Sequence, residues 1–405
     1  MAINFRSNTI ISNLRVGPLS GGGNGGGGGS SEPSYLAVGA RGVNSSAGAA
    51  YIYDATNYSA TPTKLTPSGL GADDQFGYSI AATSNQIVVG AINDEITGSN
   101  TGAVYVYDAT NLSTTPTKLA PSGLDAGDYF GYSVTATSNL IVVGATEDSD
   151  QGTAAGAVYV YDANNLSTAP TKLTPTVIGP QDQFGSSVTA TSNHIVVGAR
   201  LDDDQGDNTG AIYVYDANNL SATPTKLAPT GLDANDIFGV SVTATSNQIV
   251  VGAWSDDDQG NQAGAVYVFD TNNLSATPTK LTPSVAGGQF GFSVAATSNQ
   301  IVVGAIGDSD LANQSGAVYV YDATNLSTTP TKLVPSAANE FYRFGSSVTA
   351  YGSQIIVGVQ LDDDQADNAG AVYVYDANNL SAAPTKLTAT DGAAVDRFGW
   401  SVSLG

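Results

Sequence analysis

From Ser34 onward the chain alternates short apolar runs with polar turns, and the same four runs keep returning. In one copy they read FGYSVTAT, LIVVGA, GAVYVYD and PTKLAPS. The third run places Ala103, Tyr105 and Tyr107 on one face and Val104 and Val106 on the other. That period of two is the signature of a strand. The first and second runs are joined by Thr-Ser-Asn, a turn sequence, as at Thr137–Asn139. The prolines of the fourth run suit an edge strand, because proline donates no ladder hydrogen bond. Helix signals are nearly absent.

The pattern therefore predicts four antiparallel strands per unit. The pair Phe-Gly marks the units at Phe76, Phe130, Phe184, Phe238, Phe290, Phe344 and Phe398. Seven four-stranded units repeated radially make a propeller, an all-β fold in which each unit is one blade. The ends of the repeat predict how the ring shuts. It opens on a second run, SYLAVGA, with no first run before it, and it finishes on a first run, FGWSVSLG, with no second run after it. The C-terminal strand should complete the N-terminal blade and leave no open sheet edge. The propeller thus occupies 34–405. Ahead of it, residues 21–31 read GGGNGGGGGSS, which has no side chains to bury and is expected to act as a flexible tether. Residues 1–20 are mildly apolar and are expected to serve as an anchor segment that docks on a partner.

Composition narrows the chemistry. The chain has no cysteine, which excludes disulfides and thiolate metal sites. A single histidine, His194, excludes a multi-histidine centre; it stands in a slot where other units carry Gln or Leu and reads as drift at a turn. The formal charge of −23 argues against nucleic acid and against adsorption on an anionic membrane. No apolar run approaches membrane-spanning length, and the N-terminus lacks the apolar stretch of a secretory signal. The near-identity of the units leaves no asymmetric cluster of nucleophile, base and stabiliser, so no enzyme activity is expected.

The Phe-Gly, VGA and GAVYVYD segments, and above all KLTATDGAAVDRFGWSV from Lys386 to Val402, resemble the FG-GAP repeat family. The resemblance implies a propeller of the kind found in integrin α-chain heads, used for adhesion or ligand binding. Such repeats often carry a calcium loop between the first and second strands. Here that connection is the tight turn without a carboxylate, so the site does not carry over.

The acids cluster in two connections. Eighteen lie between second and third strands and ten between the fourth strand and the next first strand, so 28 of 36 should crowd one rim. The loops DDDQGDN and DDDQADN alternate carboxylates, roughly as calcium loops do. Asp202, Asp204, Asp207, Asp362, Asp364 and Asp367 are therefore candidate calcium ligands. Trp254 interrupts the consensus beside an acidic loop and is the candidate exposed aromatic anchor for a ligand. The thirteen third-strand tyrosines are expected to pack between blades with their hydroxyls at the surface. The layout of anchor, tether and domain suggests a bacteriophage virion decoration or fibre-like protein. Residues 1–20 would dock on capsid or tail proteins, and the propeller would face a host surface glycan or protein. The alternative is a secreted or cell-surface bacterial adhesin stabilised by calcium.

Overall fold

The computed structural model describes residues 32–96, 98–283, 286–335 and 339–405. The expected anchor (1–20) and tether (21–31) lie outside these. The described chain forms seven four-stranded antiparallel sheets, the blades of a β-propeller. Blade 1 is built from both ends of the chain, its strands being Ser401–Leu404, Tyr35–Ala40, Ala49–Asp54 and Thr63–Leu65 in that order from the axis outward. The C-terminal strand pairs with Tyr35–Ala40 in the register Leu36↔Leu404 to Gly39↔Ser401. Blades 2 to 7 follow along the chain, each with its first strand innermost. The proline-flanked outer strands are only three residues long, as at Thr117–Leu119, which limits the edge each blade presents.

Each blade is held by a Phe that is fully buried. Phe76 meets the third-strand Tyr105 edge-on at 5.4 Å and Tyr107 at 6.4 Å. Phe398 repeats this across the chain ends with Tyr51 and Tyr53. Edge-to-face pairs of this kind add to simple burial. The tyrosines also belong to clusters that span two blades: Val104 and Leu119 of blade 2 pack with Tyr159 and Tyr161 of blade 3.

Between blades runs a ring of hydrogen bonds. Ser79 Oγ donates to the Gly131 carbonyl, Ser133 to Gly185, Ser187 to Gly239 and Ser241 to Gly291. Ser293 then donates to Gly345, Ser347 to Gly399, and Ser401 to Gly77, which returns the circuit to its start. The second-strand glycine is required by this crossing. A Cβ on Gly90 would lie 2.3 Å from both the Gly131 oxygen and Ser79 Oγ. The conserved chemistry of all seven seams, including the one made from chain ends, is what shuts the ring.

Candidate functional site

The two acidic connections do emerge on one face, and they bond to each other. Glu147 N donates to the Asp128 carbonyl, and Leu201 N to that of Asp182. The face is not simply a solvated acidic surface, however. Eleven of the aspartates are buried, among them Asp94, Asp148, Asp202, Asp256, Asp308 and Asp362 from the loops between second and third strands. Each of these six meets a tyrosine hydroxyl and a lysine. In blade 4, Tyr213 Oη donates to Asp202 at 3.0 Å while Lys226 Nζ lies 2.7 Å from the same carboxylate. Lys226 also pairs with Asp204 and stands 5.4 Å from the Tyr213 ring centroid. Blade 7 inserts Tyr342, whose hydroxyl bridges Asp362 and Tyr373. Blade 1 has Val43 where the other blades have the buried Asp, and it borrows a carboxylate instead. Tyr51 and Lys64 both bind Asp391, at 2.7 and 2.6 Å, from the connection on the other side of the chain closure.

These pairings revise two expectations. The first-position third-strand tyrosines do not present hydroxyls to the surface, because their hydroxyls are buried against Asp. Burial, and then the Asp308 carboxylate, push Tyr319 up to about 12. The calcium candidates Asp202, Asp204, Asp362 and Asp364 have lysine as their counter-ion: Lys226 serves the first two and Lys386 the others. Asp207 and Asp367 stand apart on the exposed part of their loops. Among the described residues no group of three or more carboxylates or histidines is arranged to hold a metal ion. An ammonium already sits between Asp202 and Asp204, and another between Asp362 and Asp364, so these four carboxylates have a counter-ion without a metal. Burial works against the Lys172 charge, yet hydrogen bonds to Asp148 and Asp150 hold it above the ordinary lysine range.

Trp254 is not exposed either. It is 2 % accessible and packs with Ile237, Val240, Phe292 and Ile306. The residue after VGA points into the mouth of the central axis, and Ile92 and Ile306 occupy the same position in other blades. Its apolar neighbours in blades 5 and 6, not the acidic loop beside it in sequence, decide its burial.

That mouth is where the blades stop being alike. Three positions per blade converge there: the residue before Phe-Gly, the residue after it, and the residue after VGA. The last two form a floor that contains Tyr78, Tyr132, Phe292 and Trp400, all buried, with the smaller Ser186 and Ser346 between them. The tier above it reads Gln75, Tyr129, Gln183, Ile237, Gln289, Arg343 and Arg397, and all seven have positive φ, from 51° to 59°. Left-handed backbone costs a side-chain-bearing residue roughly 1 kcal/mol or more, and most of all a β-branched one such as Ile237. Strain retained at every sector of one mouth marks a constrained site.

All four arginines of the described residues stand at these positions. Arg41 lies 3.5 Å from the Trp400 ring centroid and bonds to Gln75. Arg397 reaches the same ring at 5.8 Å. Arg343 is lowered by burial and then by Arg397 beside it. Arg200, across the mouth, is engaged by Gln183 at 2.8 Å, and Gln183 in turn by Glu147. Sequence reasoning missed this cluster, although lining up the seven units would have shown that lysines fill a constant column and arginines only variable ones. A separate hollow of about 500 Å³ lies on the circumference between the outer strands of blades 2 and 3, lined by Lys118, Pro121, Leu166 and Pro170, residues of the repeated consensus.

The FG-GAP repeat family matches residues 61–107, 114–161, 168–215, 224–269, 278–321, 328–375 and 384–405. The chain belongs to the FG-GAP repeat family. The matched FG-GAP unit starts on an outer strand and ends on the third strand of the next blade, so it straddles a seam, and the final match is the partial unit that shuts the ring. Members of this family are typically non-enzymatic binding or adhesion proteins. No curated protein matches the chain. Among solved structures it is similar to the uncomplexed acylaminoacyl peptidase of Pyrococcus horikoshii, with a TM-score of 0.52 at 10 % identity. The match covers 85 % of this chain and 48 % of that one, so this FG-GAP propeller spans about half the length of the peptidase. At that identity the likeness is one of fold alone.

Proposed function

We propose that the protein is a non-enzymatic display protein, held by its N-terminal segment so that the axial mouth and its acidic rim face outward. One observation carries this reading: the described chain begins on the opposite face. Ser34 N and Tyr35 N donate to the Gly405 carbonyl at the turn end of blade 1, and Glu32 accepts from Ser353 in the turn of neighbouring blade 7, while the mouth lies at the far end of the same strands. A tether leaving from the back of the disc presents its front. The setting we favour is a bacteriophage virion, with residues 1–20 docked on capsid or tail proteins and the propeller meeting a host surface glycan or protein. Membership of a family of adhesion-type propellers supports a second setting, a secreted or surface-held bacterial adhesin.

The test is retention. Particles assembled with a chain lacking residues 1–31 should carry no propeller by mass spectrometry, although the free propeller melts as before. Normal copy number on those particles would overturn the anchor. Antibody labelling of the bacterial surface with particles unlabelled would select the second setting.

A further inference from the structure

We infer that the axial mouth between blades 7 and 1 binds the acidic end residue of a saccharide, its carboxylate held by Arg343 and Arg397. The inference rests on the mouth being the outward face and names what that face takes. Among the described residues Arg343 and Arg397 have no salt-bridge partner, whereas every lysine is paired. Two neighbouring guanidinium groups without a carboxylate, in a chain of charge −23, are costly unless an anion visits them. Their planar forks suit a carboxylate.

The groups beneath them say that the ligand is more than an anion. Trp400 Nε1 and Gln360 Oε1 are buried polar atoms without a hydrogen-bond partner, in residues 5 % and 7 % accessible. Both stand at floor positions, Trp400 after Phe-Gly of blade 1 and Gln360 after the second strand of blade 7. Such orphans are expensive; Trp254 Nε1 is another on this floor, but it packs with Ile237, whereas Trp400 has Arg397 within 5.8 Å of its ring. A carboxylate supplies only acceptors, which serves the indole N–H and leaves the amide oxygen unmet. A hydroxyl supplies donor and acceptor together. Gln75 and Gln289 in the upper tier add further polar groups of both kinds. An acidic sugar therefore matches the set of groups that the mouth offers. The surrounding rim, with exposed Asp203, Asp207, Asp363 and Asp367, repels a long polyanion, so a single terminal acid is the form that can approach.

The test uses the full chain and calorimetric titration with D-glucuronate, D-glucose, acetate and N-acetyl-aspartate amide. Saturable one-to-one binding of glucuronate is expected, with glucose and acetate each weaker by about tenfold or more, the value of one charge-assisted contact. Arg343→Gln and Arg397→Gln should each weaken glucuronate by about tenfold with an unchanged melting curve, and His194→Gln, in a turn at the opposite end of the strands, should leave it unaffected. Glucuronate binding no tighter than glucose, or indifferent to both substitutions, would overturn the site. Acetate equal to glucuronate, or tighter binding of the aspartate amide, would overturn the saccharide assignment. If a variant melts early, the comparison of ligands on the unaltered chain still decides. Loss of sugar binding with particle retention intact would sink this inference and leave the display role standing.

Discussion

Removing residues 397–405 should abolish the cooperative fold, although the truncation takes only one short strand. That strand buries Phe398, Trp400, Val402 and Leu404, none more than 5 % accessible. At roughly 1.5–3 kcal/mol for each large apolar side chain, the loss is about 6–12 kcal/mol, an upper figure because unfolded chains are partly compact. A typical native protein has only about 5–15 kcal/mol in total. The cut also strips the ladder from Leu36–Gly39 and leaves that strand as a bare edge, so the product should aggregate. Circular dichroism melting and size exclusion on the truncated and full chains measure both effects. A graded companion is Ser401→Ala, which deletes the hydrogen bond to the Gly77 carbonyl at 2.9 Å between buried groups. It should cost about 1–1.5 kcal/mol in urea unfolding, the same as Ser187→Ala, which breaks the equivalent bond inside the chain. The comparison is the sharp part: one bond joins residues 324 apart and the other residues 52 apart. A truncated chain that melts within a few degrees of the full one, or a Ser401→Ala without effect beside a costly Ser187→Ala, would refute ring closure by the terminal strand.

Three further outcomes follow from the acidic face. Lys226→Met strips the counter-ion from buried Asp202, and should destabilise by about 1–3 kcal/mol after allowing for the lysine's partial exposure; adding Asp202→Asn should recover part of that loss, and a harmless Lys226→Met would mean the pairing contributes nothing. Burial pushes the carboxyls of Asp128, Asp182 and Asp236 up to about 6, from 3.8 unfolded. The folded state then holds more protons than the unfolded one between those values, so these groups make stability fall as pH rises from about 4 to 6. Replacing all three by Asn should flatten that part of the pH profile of urea unfolding, and an unaltered slope would contradict it. Chelator should leave the melting temperature unchanged, because lysine neutralises the candidate calcium loops; a drop of several degrees would restore a structural cation.

Much of the architecture can be read from spacing alone. The Phe-Gly steps, the period of two in the third run and the unmatched runs at the two ends need only local pattern, because every strand pairs with its neighbour in sequence except at the closure. The chemistry of the rim is harder to read. Whether Asp202 faces water, calcium or Lys226 depends on a contact 24 residues away, and an acidic loop looks the same in each case. The signal was nonetheless present in the exceptions: only the first unit has an apolar residue, Val43, in place of that aspartate, and the last unit supplies Asp391 to Lys64. Trp254 misled because its neighbours along the chain are acidic while its neighbours in space include Val240 of its own blade and Phe292 of the next. The arginine cluster draws on blades 1, 4 and 7 and becomes visible only when the units are laid round a common axis.

The offset between the repeated unit and the blade has an evolutionary consequence. A duplication or loss of 54 residues, cut at any equivalent point, rejoins one half-blade to another of the same kind. Every new junction inherits a working serine, glycine and phenylalanine, so unequal recombination would leave no scar in the local chemistry. What it would change is the circumference. Selection on the number of copies must therefore act through the circle as a whole, and with it through the width of the opening around which the arginines are arranged.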